Sequence, residues 1–370
     1  MASGAPHLVH GMGLALEAPA WPAITRAEAT ETLKNFPQAG ALTDLHWHSP
    51  RPFSAAALIE TTKGEYILKR HHHTVRTPEN LAQEHAFIAH LRASLPVPEV
   101  IPAADGRSTV AHNEWTYELH RKSPGADLYR EATSWTPFAS TDHAHAAGTA
   151  LAKLHLAAQG FDAPRRPPQP LVGSLTILTT PDPTAGAARY VAARPALAAF
   201  LAKRPSQDLD DLLLTLGASL PERLANQPQL WTHNDWHASN LLWSPTGEVS
   251  TIFDFGLADR TCAVHDLATG IERCAIAWLH MTPARDNPIG DVPTARALIA
   301  GYRTVLPIDR ETVIALLPLV HIEFALSEID YFAGNLSDPA QAQQAWDDYL
   351  IGHANWFRSA AGRTFLKAIA

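Results

Sequence analysis

Cysteine is nearly missing from this chain, with only Cys262 and Cys274 among 370 residues. That excludes a disulfide-stapled scaffold and fits a reducing, cytoplasmic setting. The first 25 residues hold no Lys or Arg, so the charged start of a signal peptide is absent. Long apolar runs are absent too. The longest, 314–326, is interrupted by His321 and Glu323 and is too short to span a bilayer, so no membrane partner is expected. Positive charge is in deficit: 29 Lys and Arg stand against 37 Asp and Glu, a net charge of −8. A protein gripping nucleic acid through its phosphates is usually basic, so that partner is excluded. Charged residues make up 18% and hydrophobic ones 46%, a globular composition and not a disordered one.

The length exceeds what one hydrophobic core supports, so two lobes are expected. Residues 1–23 are small, apolar and Pro-rich and read as loose. Thr25 caps a short helix over 26–36. Runs 55–61 and 65–69 are β-prone, and Thr62-Lys63-Gly64 between them signals a hairpin. Residues 78–94 read as a helix with Pro at its start, and 115–119 as a further strand. Beyond about residue 123 the pattern turns helical, with helices over 141–158, 185–202 and 207–226. A strand–loop–strand unit at 229–255 interrupts it. The expected division is 1–118, β-rich, and 119–370, α-rich, with a hinge near 118–125.

Chemistry concentrates in the segment 230–243. His233-Asn234-Asp235 is followed, after four residues, by Asn240, and fourteen residues later by Asp254-Phe255-Gly256. Phosphoryl transfer from ATP needs metal ions on the phosphates and a carboxylate to orient the attacking hydroxyl. Asp235 suits the carboxylate. Asn240 and Asp254 offer the oxygen ligands that Mg²⁺ prefers. His233 reads as a packed support for the loop. Upstream, the strand 66–69 ends in Lys69, and Glu84 lies on the next helix, a pair suited to the α- and β-phosphates of the nucleotide.

These motifs resemble the catalytic loop and metal segment of the kinase-like superfamily, most closely its aminoglycoside phosphotransferase and choline kinase branch. That branch carries His-Gly-Asp where this chain has His233-Asn234-Asp235, and closes the metal segment with Asp-Leu-Ala, here Asp266-Leu267-Ala268. The helix 148–155 is also similar. The resemblance spans about residues 40–335. It implies an α+β, bilobal protein-kinase-like fold with a small antiparallel sheet lobe and a larger helical lobe. It implies ATP and Mg²⁺ as cofactors and a hydroxyl-bearing small molecule as acceptor. Adenine would hang from backbone groups near Tyr117, Glu118 and Leu119. One departure is the loop 48–54, which has no Gly-x-Gly-x-x-Gly, so its phosphate contacts are unassigned.

The acceptor is harder to read. Only eleven residues (255–265) separate Asp254 from Asp266, and no Ala-Pro-Glu follows. That leaves little platform for a peptide, although an atypical protein kinase or a catalytically silent nucleotide-binding module stays open as an alternative. Trp236 is expected to line the acceptor pocket. Residues 316–332 read as a helix on which Glu323 and Asp330, seven apart, share a face. With Glu272 they would form an acidic wall for an amino alcohol, an aminoglycoside-like sugar or an amino acid. Asp266 is expected to cap a helix and brace the catalytic loop, and His71-His72-His73 to form a solvated turn.

Overall fold

The structure, a computed structural model, describes residues 7–10, 13–204, 207–281 and 288–370. The chain forms two compact units, the first ending at Pro124 and the second starting at Gly125. The boundary falls later than the expected 118 because the last long strand of the first unit continues through Arg121.

In the first unit, β1 (Val9–His10) and β2 (Leu16–Glu17) pair as a short antiparallel ladder, so the stretch expected to be loose is partly ordered. Helix α1 (Arg26–Leu33) starts at a capping box in which Thr25 and Glu28 satisfy each other's backbone N–H. A mixed-length antiparallel sheet follows: β3 (Leu42–His48), β4 (Ala55–Thr61), β5 (Gly64–His72), β6 (Glu99–Val100), β7 (Val110–His112) and β8 (Trp115–Arg121). Its order is β3-β4-β5-β8-β6, with β7 also on β8. Helix α2 (Pro78–Leu91) is capped by Thr77. Side chains alternate across a strand, which sorts this sheet into two faces. Tyr66, Leu68, Tyr117 and Leu119 join the core with Ile24, Phe36 and Ile59. Lys69, His71, Glu118 and His120 occupy the other face.

The second unit is mainly helical. Helix α3 (Thr141–Ala157) lies against α9 (Val292–Arg303) at a contact only glycine allows. A Cβ on Gly148 would sit 2.0 Å from Leu298 O, and one on Gly301 1.9 Å from His145 O. The two helices expected over 185–202 and 207–226 are each divided: α4 (Pro183–Ala192), α5 (Pro195–Leu201), α6 (Gln207–Leu216) and α7 (Leu220–Ala225). Pro195 and Pro221 lack the N–H that a continuing helix needs, and each opens a new one. The strand–loop–strand unit is two nested ladders, β9 (Gln229–Thr232) with β12 (Asp259–Cys262) and β10 (Leu241–Trp243) with β11 (Val249–Ile252). Helix α8 (Ala263–Cys274) follows directly. The run 310–335 contains α10 (Arg310–Leu316), a turn at Pro318 and α11 (Ile322–Asp330). It is long and apolar enough to cross a membrane by composition, but 83% of its most apolar window is buried inside the protein, as in a core helix. Helices α12 (Pro339–Gln344), α13 (His353–Arg358) and α14 (Ala360–Ile369) complete the chain.

Candidate active site

The nested ladders explain why Asp235, Asn240 and Asp254 meet. Asn240 precedes β10, Asp254 follows β11, and Phe253 N donates to Asn240 O at 3.1 Å, so the hairpin ends bring the two metal candidates together. The Asn240 amide nitrogen donates to Asp235 O at 2.9 Å and to Asp235 Oδ2 at 3.1 Å. That orientation leaves the amide oxygen for a cation. Asp254 has φ +60°, in the left-handed region, where a non-glycine residue is uncommon and strain gathers at functional sites.

The catalytic loop is held from beneath. Asp266, fully buried on the first turn of α8, accepts from His233 N and Asn234 N, each at 2.8 Å, and binds His155 Nε2 at 3.0 Å. Burial pushes its carboxyl up, but the His155 hydrogen bond and charge outweigh that and hold it below the usual aspartate range. The expected brace is therefore present. The expected cap is not, because α8 starts at Ala263, with Cys262 in the capping position. His233 is structural, as expected. Its Nδ1 accepts from Asp235 N at 3.2 Å, which makes Nε2 the donor to Phe253 O at 2.9 Å. Desolvation lowers its pKa, so it stays neutral.

Asn234 stands where the related branch has glycine, and its φ of +60° shows why. Asparagine is one of the few residues besides glycine that enters the left-handed region readily. Its side chain is then fully engaged: Oδ1 accepts from Thr232 Oγ1 and Thr261 Oγ1 and lies 3.2 Å from His265 Nδ1, while Nδ2 donates to the Leu257 and Asp259 carbonyls. The opposing residue is Gly173, whose Cβ would lie 2.4 Å from Asn234 Cβ.

Other expected site residues fall differently. Lys69 lies on β5 directly opposite Glu118 of β8, and Glu84 is buried on α2. Tyr117, Glu118 and Leu119 are mid-strand. Tyr117 pairs with Arg70 on one side and Val110 on the other, and Leu119 O accepts from Ile101 N at 2.7 Å, so these groups are taken up within the sheet. The Glu118 carboxylate is instead gripped by His71, His85 and His120, with N···O distances of 2.9, 2.5 and 2.8 Å. Burial pushes it up, but those imidazoles hold it well below the usual glutamate range. His71 and His72 are thus the end of a strand and not a solvated turn, and His72 stacks on Trp21 at 4.9 Å.

The acidic wall is also corrected. Glu323 accepts from Thr176 N, Ile177 N, Ser174 Oγ and Thr176 Oγ1, which straps the segment 174–177 onto α11. Asp330 accepts from Leu197 N at the start of α5. Both carboxylates are taken up by local donors, so neither faces a shared acceptor. Trp236 is fully buried, set edge-on to His233, and faces Gly270 of α8 as a packing group.

The sequence reading missed Arg273. This guanidinium, 2% exposed, forms an ion pair with Asp235 and lies under Trp135 and Phe324, 5.5 and 4.9 Å from the ring centroids. Burial lowers its pKa to about 10, which still leaves it charged at neutral pH. Next to it Glu272 Oε1 lies 3.2 Å from His353 Nδ1 and 3.6 Å from His321 Nδ1, and His321 Nε2 lies 3.9 Å from Glu328 Oε2. All four side chains are buried. Among the described residues both Glu272 oxygens, both His353 nitrogens, His321 Nε2 and Glu328 Oε2 lack a hydrogen bond. Burial raises the Glu272 pKa well above its ordinary value and that of Glu328 to about 8. The signal was available: His321 interrupts an apolar run and stands seven residues from Glu328, the same spacing that drew attention to the neighbouring pair.

A small antiparallel-sheet unit, a helical unit, and a braced His-Asn-Asp loop beside an Asp-Phe-Gly segment define the class as the α+β fold of the kinase-like phosphotransferases. Residues 53–308 match the Phosphotransferase enzyme family, and the chain belongs to that family. It is similar to a homoserine kinase of Caulobacter sp. (strain K31), 28% identical over 263 residues that cover 69% of this chain and 71% of the relative. Among solved structures, a microcompartment-associated aminopropanol kinase superposes with a TM-score of 0.58 at 20% identity, over 91% of this chain and 99% of the other. The macrolide 2'-phosphotransferase MphH from Brachybacterium faecium gives 0.52 at 16% identity, over 86% and 96%. The chain is a small-molecule kinase of this family.

Proposed function

We propose that this enzyme uses Mg²⁺ and ATP to phosphorylate a hydroxyl of a small acceptor that also carries an amine. The observation that carries the reading is the meeting of Asp235, Asn240 and Asp254 at the end of one hairpin, on a loop held by Asp266. Hard oxygen donors of this kind fit Mg²⁺. Asn240 and Asp254 would hold the ion, which when bound to ATP neutralises charge on the transferred phosphoryl group. Asp235 orients the acceptor hydroxyl and takes its proton. Lys69 and Glu84 would pair and hold the α- and β-phosphates.

Arg273 and its buried neighbours supply the acceptor reading. A buried guanidinium beside two carboxyls that keep oxygens without a hydrogen bond among the described residues suits an amino acid or amino alcohol: Glu272 and Glu328 for an ammonium, and Arg273, which also pairs with Asp235, for a carboxylate where there is one. The named relatives, a homoserine kinase and an aminopropanol kinase, act on acceptors of that description.

The test is Mg-ATP turnover over hydroxy amino acids, amino alcohols and amino sugars, read by phosphorus NMR, with Asp235→Asn alongside wild type. Asparagine keeps the shape and removes the base, so the variant should fold and lose about 10²–10⁴-fold in turnover. Near-normal turnover in Asp235→Asn, or no acceptor that stimulates ATP consumption, defeats the proposal.

A further inference from the structure

A second polar basin lies in the helical unit, apart from the groups just given roles. Its cavity is about 250 Å³, lined by Arg165, Arg166, Gln169, Arg189, Arg194 and Asp259 among others. Four arginines and one aspartate are among the lining residues, 4 − 1 = +3 in formal charge, in a chain whose net charge is −8; Asp330 acts on Arg194 from outside the lining. Such a concentration of positive charge against the overall sign is costly without an anion to answer it.

The walls are built and not merely charged. Arg194 is anchored by Nη1 donating to Tyr190 O at 3.0 Å, and its guanidinium lies 3.5 Å from the Tyr190 ring centroid. Arg166 is fixed by Nη1 donating to Gly256 O at 3.1 Å and Ala258 O at 3.0 Å, and its backbone N–H donates to Asp259 Oδ1 at 2.8 Å. Gln169 is 8% exposed, yet neither its amide oxygen nor its amide nitrogen has a hydrogen bond among the described residues; Arg194 Nε is in the same condition. Buried amides and guanidiniums are almost always satisfied, so an exception in a cavity wall indicates a ligand that completes it.

We infer that this basin binds a small phosphate-bearing anion. Guanidiniums match phosphate oxygens in a two-pronged geometry, and Gln169 adds one donor and one acceptor for a hydroxyl on the same ligand. The volume is below the usual 300–1,000 Å³ of drug-sized ligand pockets, which admits a small phosphomonoester and rejects a nucleotide. Arg166 ties the basin to the chain just after Asp254, because it holds the carbonyls of Gly256 and Ala258.

The probe is inorganic phosphate, titrated calorimetrically into the full-length protein already saturated with a non-hydrolysable ATP analogue and Mg²⁺, at constant ionic strength. One phosphate per chain should bind saturably, with no response to chloride. Arg189 is exposed, so Arg189→Gln should fold, keep its turnover and bind phosphate about tenfold more weakly or worse; Arg165→Gln should do the same. Asp259→Asn removes the carboxylate among the lining residues and should tighten binding. No saturable heat, or binding untouched by both arginine variants, overturns the inference. Those results leave phosphotransfer itself standing, since turnover is measured separately.

Discussion

Replacing Asp266 with asparagine tests whether the catalytic loop is held as described. The two side chains have the same shape, so packing is preserved. Hydrogen bonding is not. Asp266 Oδ1 accepts the Asn234 N–H and Oδ2 accepts the His233 N–H, both buried. An asparagine must point its NH₂ at one of these backbone donors, and a backbone N–H cannot turn round. One charge-assisted bond is lost, worth about 1.5–3 kcal/mol, and one buried donor is orphaned, at about 1–3 kcal/mol. The expected loss is therefore about 3–5 kcal/mol, a large share of a typical domain's stability. Turnover should fall further than stability alone explains, since a displacement of about 1 Å at a reacting group costs about 10²-fold. Chemical denaturation gives the first quantity. Turnover measured well below the melting temperature gives the second. A stability change under about 0.5 kcal/mol with unchanged turnover would refute the brace.

Glu323→Gln should behave in the opposite way, costing about 1 kcal/mol with acceptor kinetics unchanged, because two of its four donors are hydroxyls that can rotate to accept from the new NH₂. Glu323→Ala leaves the Thr176 and Ile177 N–H groups orphaned and should cost about 2–5 kcal/mol by urea denaturation; equal effects of the two substitutions would contradict the strap. Glu328 has its folded-state pKa raised to about 8 from 4.5, so the native state binds the extra proton and ligand-free stability should fall as pH rises through that window. Glu328→Gln should flatten this part of the stability profile; a wild-type profile that rises between pH 4.5 and 8 at every point, unchanged in the variant, contradicts the burial.

The reading from sequence succeeded where chemistry and local pattern coincide. Asp235, Asn240 and Asp254 sit between β-prone runs, so their meeting follows from two short ladders, and the brace by Asp266 was legible from its place in the opening turn of a helix. It failed where the deciding contact is distant. Nothing near Glu323 announces that it straps residues 174–177, nearly 150 positions away. Tyr117–Leu119 were expected to offer hinge backbone to adenine because the strand itself was recognisable, but its short partners β6 and β7 were not. Arg273 lay next to an assigned residue and was overlooked because a helix-end arginine is ordinarily solvated.

The contact between Gly173 and Asn234 has a consequence for how this loop can vary. With 2.4 Å between one existing Cβ and one that would have to be added, the two positions share room for a single side chain. A chain with glycine in the middle of the His-x-Asp triplet is free to carry a side chain at the other position; a chain with asparagine there, like this one, is not. Alanine at 173 would press on the residue immediately before Asp235, and glycine at 234 would relieve it. The identity of a loop residue sixty-one positions upstream is thus tied to the triplet, and the pair should drift together through sequence space as one unit of inheritance.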